Sequence, residues 1–226
     1  MYGEYAFRSS LFFFTLHRMN TNLHIIDHPV IAHKLTVLRR KETPHSAFRQ
    51  TVKELTQLML YEVLRNTEIT TVEIETPLEK TPQPVLKNEI SIVLILRAGL
   101  GMSDGVLDLL PEARVGHIGI QRNTETLEPE EYYIKLPPRI HETTVIVVDP
   151  MLATGGSAIA TLNILQQHNV HNPSFTCIVA APEGVEALHS VHPNVSIYTA
   201  ALDRELNDHG YILPGLGDAG DRIFGT

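Results

Sequence analysis

Basic residues are scarce in this chain, cysteine is almost missing, and no hydrophobic run is long enough to span a membrane. Of 226 residues, 18 are Lys or Arg against 26 Asp or Glu, a formal net charge of −8. A nucleic-acid surface needs a basic stripe, so this balance argues against nucleic acid as a partner and against a regulator that binds RNA. It also means that any site for a polyphosphate must concentrate positive potential locally. The single cysteine, Cys177, lies in the apolar run SFTCIVAA. It cannot form an internal disulfide, which fits a reducing compartment, and it reads as a small core side chain rather than a nucleophile. The apolar stretch at residues 11–16 is six residues long beside Arg8, short of the roughly 7–15 of a signal-peptide core. Residues 1–18 therefore read as an N-terminal extension, expected to be poorly ordered, upstream of a second possible start at Met19. Residues 19–226 read as one domain, with a cytoplasmic location expected and no membrane partner. There is no G-x-x-x-x-G-K-[ST] motif, which disfavours a P-loop kinase. His168 with His171, and His189 with His192, have helix-like spacing, but no Cys or carboxylate cluster completes a metal site.

The patterning that is present describes alternating strands and helices. Asp27-His28-Pro29 is a helix-start signature. A second helix starts near Thr43-Pro44, with Phe48, Val52, Leu55, Met59 and Val63 on one face. Residues 71–75 (TVEIE) alternate, as a half-exposed strand should. Residues 91–96 (SIVLIL), 143–148 (TTVIVV) and 174–180 (SFTCIVA) are continuous apolar runs, with 197–200 a weaker fourth. Strands apolar on both faces belong to parallel sheets covered by helices. Helical stretches at 157–168 and 182–190 lie between them, which implies a doubly wound α/β sheet. The polar excursion 122–136 (RNTETLEPEEYYIKL) interrupts this rhythm and is expected to act as a lid.

Three stretches carry the chemistry. In Val147-Val148-Asp149-Pro150-Met151-Leu152-Ala153-Thr154-Gly155-Gly156-Ser157, a buried strand ends in an acid and a Thr-Gly-Gly-Ser turn opens a helix. Glycines allow a tight turn and close ligand approach, and the free N–H groups of a first helical turn cradle phosphate. Asp149 is placed to accept hydrogen bonds from two ribose hydroxyls. Arg97 closes the strand before Ala98-Gly99-Leu100-Gly101 and is suited to phosphate oxygens. The tail, residues 209–221 (HGYILPGLGDAGD), is a glycine-rich turn that exposes backbone donors and acceptors. Two dinucleotide-like patterns fail. Gly99-Leu100-Gly101 meets its third glycine one residue late, at Gly105. Gly215-Leu216-Gly217-Asp218-Ala219-Gly220 fits, but only six residues follow it.

An apolar strand, an acid and a Thr-Gly-Gly turn resemble the PRPP-binding motif of type I phosphoribosyltransferases, and DPMLATGGS is similar to the uracil phosphoribosyltransferase branch. Most members of the superfamily carry two adjacent acids where this chain has Asp149 followed by Pro150. The resemblance covers nearly all of residues 19–226. It implies a doubly wound parallel sheet with a hood formed by the β-excursion and the C-terminal turn. It implies transfer of a phosphoribosyl group from phosphoribosyl pyrophosphate (PRPP) to uracil, giving UMP and pyrophosphate in pyrimidine salvage. It further implies PRPP contacts from Arg97, Arg122, Asp149, Pro150, Met151, Leu152, Ala153, Thr154, Gly155, Gly156, Ser157 and Asp218, with Arg97, Asp149 and Asp218 catalytic. Backbone groups at Ile212, Gly217 and Ala219, beside Asp218, would read uracil. Mg²⁺ is expected through PRPP, GTP as a possible effector, and a homodimer or higher homo-oligomer as the assembly. An enzyme of the same class acting on a purine base, and an interaction protein without chemistry, are the competing readings.

Overall fold

The computed structural model describes residues 22–122 and 129–226; the expectation for residues 1–18 and the middle of the 122–136 excursion fall outside them. Strand β1 (Leu23–Ile25) leads into helix α1 (Pro29–Arg39). Pro29 occupies the first helical position, and the N-cap is His28, whose ring Nδ1 accepts from Val30 N–H at 3.1 Å. Helix α2 (His45–Val63) buries Phe48, Val52, Leu55 and Met59, the face expected from their spacing, while Val63 is partly buried.

Strands β2 (Ile69–Glu75) and β3 (Lys80–Leu86) form a separate antiparallel hairpin. The alternation in β2 suggested one covered face, yet every residue of the strand is exposed. The hairpin pairs only with itself and is not joined to the central sheet, so neither face has anything to bury against. Pro82 and Pro84 in β3 cannot donate to a ladder, which suits a strand with a free edge.

The body follows: β4 (Ile90–Leu96), α3 (Leu100–Leu109), β5 (Arg114–Arg122), β6 (Pro129–Lys135), β7 (Thr144–Val148), β8 (Met151–Leu152), α4 (Gly156–Gln167), β9 (Ser174–Ala180), α5 (Pro182–Val191) and β10 (Ser196–Leu202). Short strands β11 (Glu205–Leu206) and β12 (Ile212–Leu213) and helix α6 (Ala219–Phe224) form the tail. The sheet runs β1-β10-β9-β7-β4-β5-β6, with β8 beside β9; only β6, paired with β5, is antiparallel.

Burial on both faces explains the continuous apolar runs. Ile92, Leu94 and Ile146 pack with α1, α2 and α3 on one face. Val93, Ile95, Val147, Phe175 and Cys177 pack with α4 and α5 on the other. The chain leaves β4 toward β5 but leaves β7 toward β9, on the opposite side. The loops after β4 and β7 therefore diverge at a topological switch point, where the carboxyl ends of parallel strands form a crevice.

Helices α2 and α3 approach closely at Gly105. A Cβ there would overlap the Lys53 carbonyl oxygen and stand 2.7 Å from Thr56 Cβ. Gly105→Ala is expected to destabilise the fold by about 1–3 kcal/mol through overpacking. Urea unfolding should show this as a lower midpoint with an unchanged m-value.

Candidate active site

The first wall of the crevice follows β4. The Leu96–Arg97 peptide is cis. At Gly99 a Cβ would stand 2.6 Å from the Ile95 carbonyl oxygen and 3.0 Å from that of Val148, so the chain folds back on the end of β7 where only glycine fits. This leaves Arg97 at the rim, its side chain 62% exposed and its Nη2 3.6 Å from Asp221 Oδ1. That contact is loose and solvated, so it costs little for the guanidinium to turn to a phosphate.

The second wall is 149–157. Its first half is tied to the sheet: Asp149 N–H donates to Thr176 O (3.2 Å), Pro150 O accepts from Ile178 N–H (2.9 Å), and Leu152 O accepts from Ala181 N–H (2.9 Å). Pro150 and Leu152 are buried and Met151 is half-buried, so this half of the loop is packed onto the body of the domain. The presenting half is 153–157. Gly155 takes the left-handed φ of +85° as N-cap of α4, and among the described residues no side chain caps the first turn. The N–H groups and dipole of that turn are thus free to face an anion. The start of α5 braces the loop from behind, because a Cβ at Gly184 would overlap the Ala153 carbonyl oxygen and stand 2.8 Å from that of Leu152.

Asp149 lies at the floor. Its residue surface is only partly covered, yet protein surrounds the carboxylate. Desolvation raises its pKa to about 7; a long 3.5 Å hydrogen bond from Met151 N–H opposes the rise, and the nearby Asp218 carboxylate adds to it. Two carboxylates within electrostatic reach make a site that favours hydroxyl donors or a cation.

The third wall is the tail. Ile212 and Ala219 are buried, whereas Gly217 and Asp218 are exposed, and Gly215 and Gly217 have φ of +62° and +81°. Asp218 caps α6, accepting from Asp221 N–H at 2.9 Å. Helix α6 rests directly on the first wall: a Cβ at Gly101 would stand 2.6 Å from Ile223 Cδ1, and one at Gly220 3.9 Å from Ala98 Cβ. A Cβ at Gly210 would lie 3.6 Å from the Thr154 methyl, so the tail also reaches the second wall.

The structure thus gathers Arg97, Asp149, Ala153, Thr154, Gly155, Gly156, Ser157, Ile212, Gly217, Asp218 and Ala219 into three loops at one edge of the sheet. Arg122 ends β5, and its side chain lies outside the described residues. Burial pushes the Cys177 thiol up to about 12, consistent with a core residue. Among the described residues no cluster of three His, Cys, Asp or Glu could hold a metal on its own. Sequence reasoning did not find Asp221, nor Arg39, Asp203 and Arg222, which hold the tail in place. Arg39 and Asp203 pair across 164 positions, and no local pattern signals such a contact.

The family described as "Uracil phosphoribosyltransferase" matches residues 25–226. The protein of that name from Dictyoglomus turgidum is 58% identical over 203 residues, 89% of this chain and 98% of the relative. That from Streptococcus pneumoniae serotype 4 is 57% identical over 205 residues, 90% and 98% of the two chains. Among solved structures, the AQ2163 protein from Aquifex aeolicus superposes with a TM-score of 0.85 at 38% identity, covering 89% of this chain and 97% of that one. Adenine phosphoribosyl transferase from Trypanosoma brucei, in complex with AMP, pyrophosphate and ribose-5-phosphate, superposes with a TM-score of 0.54 at 13% identity, covering 85% and 88%. That last likeness is one of fold.

The raised pKa of Asp149 fixes the sign of a stability effect. In the unfolded chain the carboxyl ionises near its ordinary value of 3.8, and in the folded protein near 7. Its contribution is therefore fully favourable below the lower value and is lost as pH rises through the upper one. Asp149→Asn is expected to raise the Tm of the free protein at pH 8 by several degrees, with the gap closing toward pH 4. A thermal melt series across that range checks it.

Proposed function

The chain belongs to the uracil phosphoribosyltransferase family, and from that membership we infer that it transfers the 5-phosphoribosyl group of PRPP to N1 of uracil, giving UMP and pyrophosphate. The observation that carries this reading is the convergence of three loops on one crevice: a helix start whose N-cap is a glycine, for phosphate, an exposed arginine at a strand end, and a glycine-rich turn with Gly217 and Asp218 exposed.

In the reaction, uracil N1 forms a bond to the anomeric carbon as the bond from that carbon to pyrophosphate breaks, with inversion. The bonding pair departs with pyrophosphate, and the N1 proton passes to solvent. The ribose ring develops oxocarbenium character, so catalysis rests on positioning and on stabilising the leaving charge. The 153–157 turn holds the 5′-phosphate, Asp149 the ribose hydroxyls, and Arg97 with Arg122 the pyrophosphate. Asp218 orients PRPP, while backbone groups at Ile212, Gly217 and Ala219 read the edge of the base. A base lacking the matching donors and acceptors would leave those groups unpaired.

Mg²⁺ fits this donor set, because the Asp149 and Asp218 carboxylates repel one another. Asp149 and Asp218 would help hold the ion that arrives with PRPP, and it would supply charge neutralisation to the pyrophosphate. The 122–136 excursion would fold over PRPP and exclude water. We also infer a cytoplasmic role in pyrimidine salvage and a homo-oligomeric assembly, supported by the apolar surface on the β2–β3 hairpin, where Leu78 is 95% exposed. GTP is the expected activator. No helix among the described residues is long and apolar enough to cross a membrane.

Labelled uracil, PRPP and Mg²⁺ should yield UMP, whereas cytosine, adenine and hypoxanthine in parallel should yield no nucleotide. Turnover of a purine would overturn the assignment of the tail, and binding of PRPP without turnover of any base would favour a regulator. Arg97→Ala should lower kcat/KM on the order of 10²–10³-fold, as loss of a leaving-group contact does. Because hydrogen-bond donation by ribose favours ionised Asp149, PRPP affinity should fall as pH drops below about 7. Hydrogen exchange over 122–136 should slow when PRPP binds; equal exchange with and without it would remove the lid from the mechanism.

A further inference from the structure

Two consecutive carbonyls in the base-reading turn are each held by an arginine from another part of the fold. Arg39, in the last turn of α1, donates through Nη1 to Gly215 O at 2.8 Å. The same guanidinium grips Asp203, just past β10, with Nη1 to Oδ2 at 2.8 Å and Nη2 to Oδ1 at 2.5 Å. Asp203 Oδ2 then accepts from Gly215 N–H at 2.9 Å. The carboxylate is nearly buried, at 4% exposure. One residue on, Arg222 Nη1 donates to Leu216 O at 2.7 Å and also to Leu38 O, while Nη2 donates to Arg40 O at 2.7 Å. Its guanidinium lies 4.3 Å from the centre of the Phe48 ring.

Both peptide groups of Gly215 are therefore pinned, the N–H by Asp203 and the C=O by Arg39, and the next carbonyl is pinned by Arg222. Gly215 has no freedom to adjust by taking a side chain, since a Cβ would overlap the Ile212 carbonyl oxygen at its φ of +62°. With these groups committed, the main-chain groups of the turn left for a ligand are those of Ile212 and those from Gly217 onward. A bidentate guanidinium–carboxylate pair is directional, so it fixes orientation as well as supplying energy. The pair also bridges α1 to the end of β10, so the turn's shape is referenced to the rigid body of the domain.

We propose that Arg39 with Asp203, assisted by Arg222, are positioning residues that set the conformation of the 212–219 turn and thereby the affinity for the base, a role that rests on assigning that turn to uracil. Within the turn Asp218 is assigned to PRPP, and it is held separately by its cap on Asp221 N–H at 2.9 Å, so PRPP, whose other contacts come from different segments, is affected little.

The test uses Arg39→Met, which removes the fork and keeps the stem, and Arg39→Lys, whose single ammonium cannot reproduce the bidentate geometry toward Asp203 while also serving Gly215. Steady-state constants for uracil and PRPP, calorimetric PRPP affinity and hydrogen exchange are measured well below each variant's Tm. Arg39→Met should raise the KM for uracil roughly 10- to 100-fold while PRPP affinity stays within about threefold, the scale of a displaced but intact contact set. Arg39→Lys should fall between it and the parent. Amides of residues 215–219 should exchange faster in Arg39→Met, with helix α4 unchanged. A joint shift of both substrate constants, or unchanged exchange at 215–219, overturns the proposal. If the parent protein makes no UMP, the uracil assignment fails, and exchange alone decides the clamp: faster exchange confined to 215–219 supports it, and unchanged exchange rejects it. Should Arg39→Met fail to fold, Arg39→Lys carries the same measurements.

Discussion

A parallel sheet whose strands are apolar on both faces must be covered by helices on both sides, and that requirement shapes everything else in this protein. Covering the faces of β4, β7 and β9 sends each connection over the top of the sheet before a helix can descend. The loops after β4 and β7 leave in opposite directions, and the crevice between them is a by-product of that divergence. The close contacts at Gly99 and Gly184 are consequences of the same constraint, because each loop must pack on its neighbour's backbone to stay low over the strand ends.

Electrostatics then determine what the crevice can hold. The chain carries an excess of acid, and two of its acids, Asp149 and Asp218, face the crevice. Positive potential comes from the uncapped start of α4 and from Arg97, both of which are concentrated at the rim. The floor is anionic and poorly hydrated while the rim is cationic, an arrangement suited to a ligand with hydroxyls at its centre and phosphates at its ends. The desolvation cost of keeping Asp149 on that floor is borne because the hydrogen bonds from Asp149 N–H to Thr176 O and from Ile178 N–H to Pro150 O fix its main chain to the sheet.

The tail completes the site from a distance. Only a short helix and a two-residue ladder support it locally, which is too little to fix a glycine-rich turn. Its rigidity is borrowed from α1 and α2 through Arg39, Asp203, Arg222 and Phe48, and from the loop after β4 through Ile223 and Gly101. The two walls that would hold different substrates are thereby packed against each other.

Much of this was legible in the sequence. The buried strands announced themselves as continuous apolar runs, since local composition reports directly whether both faces of a strand are covered. The helix faces followed from periodicity, and the Asp149 to Ser157 turn from glycine and hydroxyl chemistry confined to a few adjacent residues. The alternation in residues 71–75 misled, because a period of two reports that a strand is extended and not whether anything packs on it; the hairpin stands clear of the sheet. The bonds that shape the base-side turn were invisible for a related reason. Arg39 and Asp203, or Arg222 and Leu38, lie far apart along the chain, and an exposed-looking charge carries no mark of its partner. Sequence determined the elements, the glycine turn before α4 and the residue types at the crevice, all of which depend on neighbours within a few positions. Only the tertiary structure decided the pKa of Asp149 and the anchoring of the tail, because desolvation and long-range ion pairs exist only once distant segments are brought together.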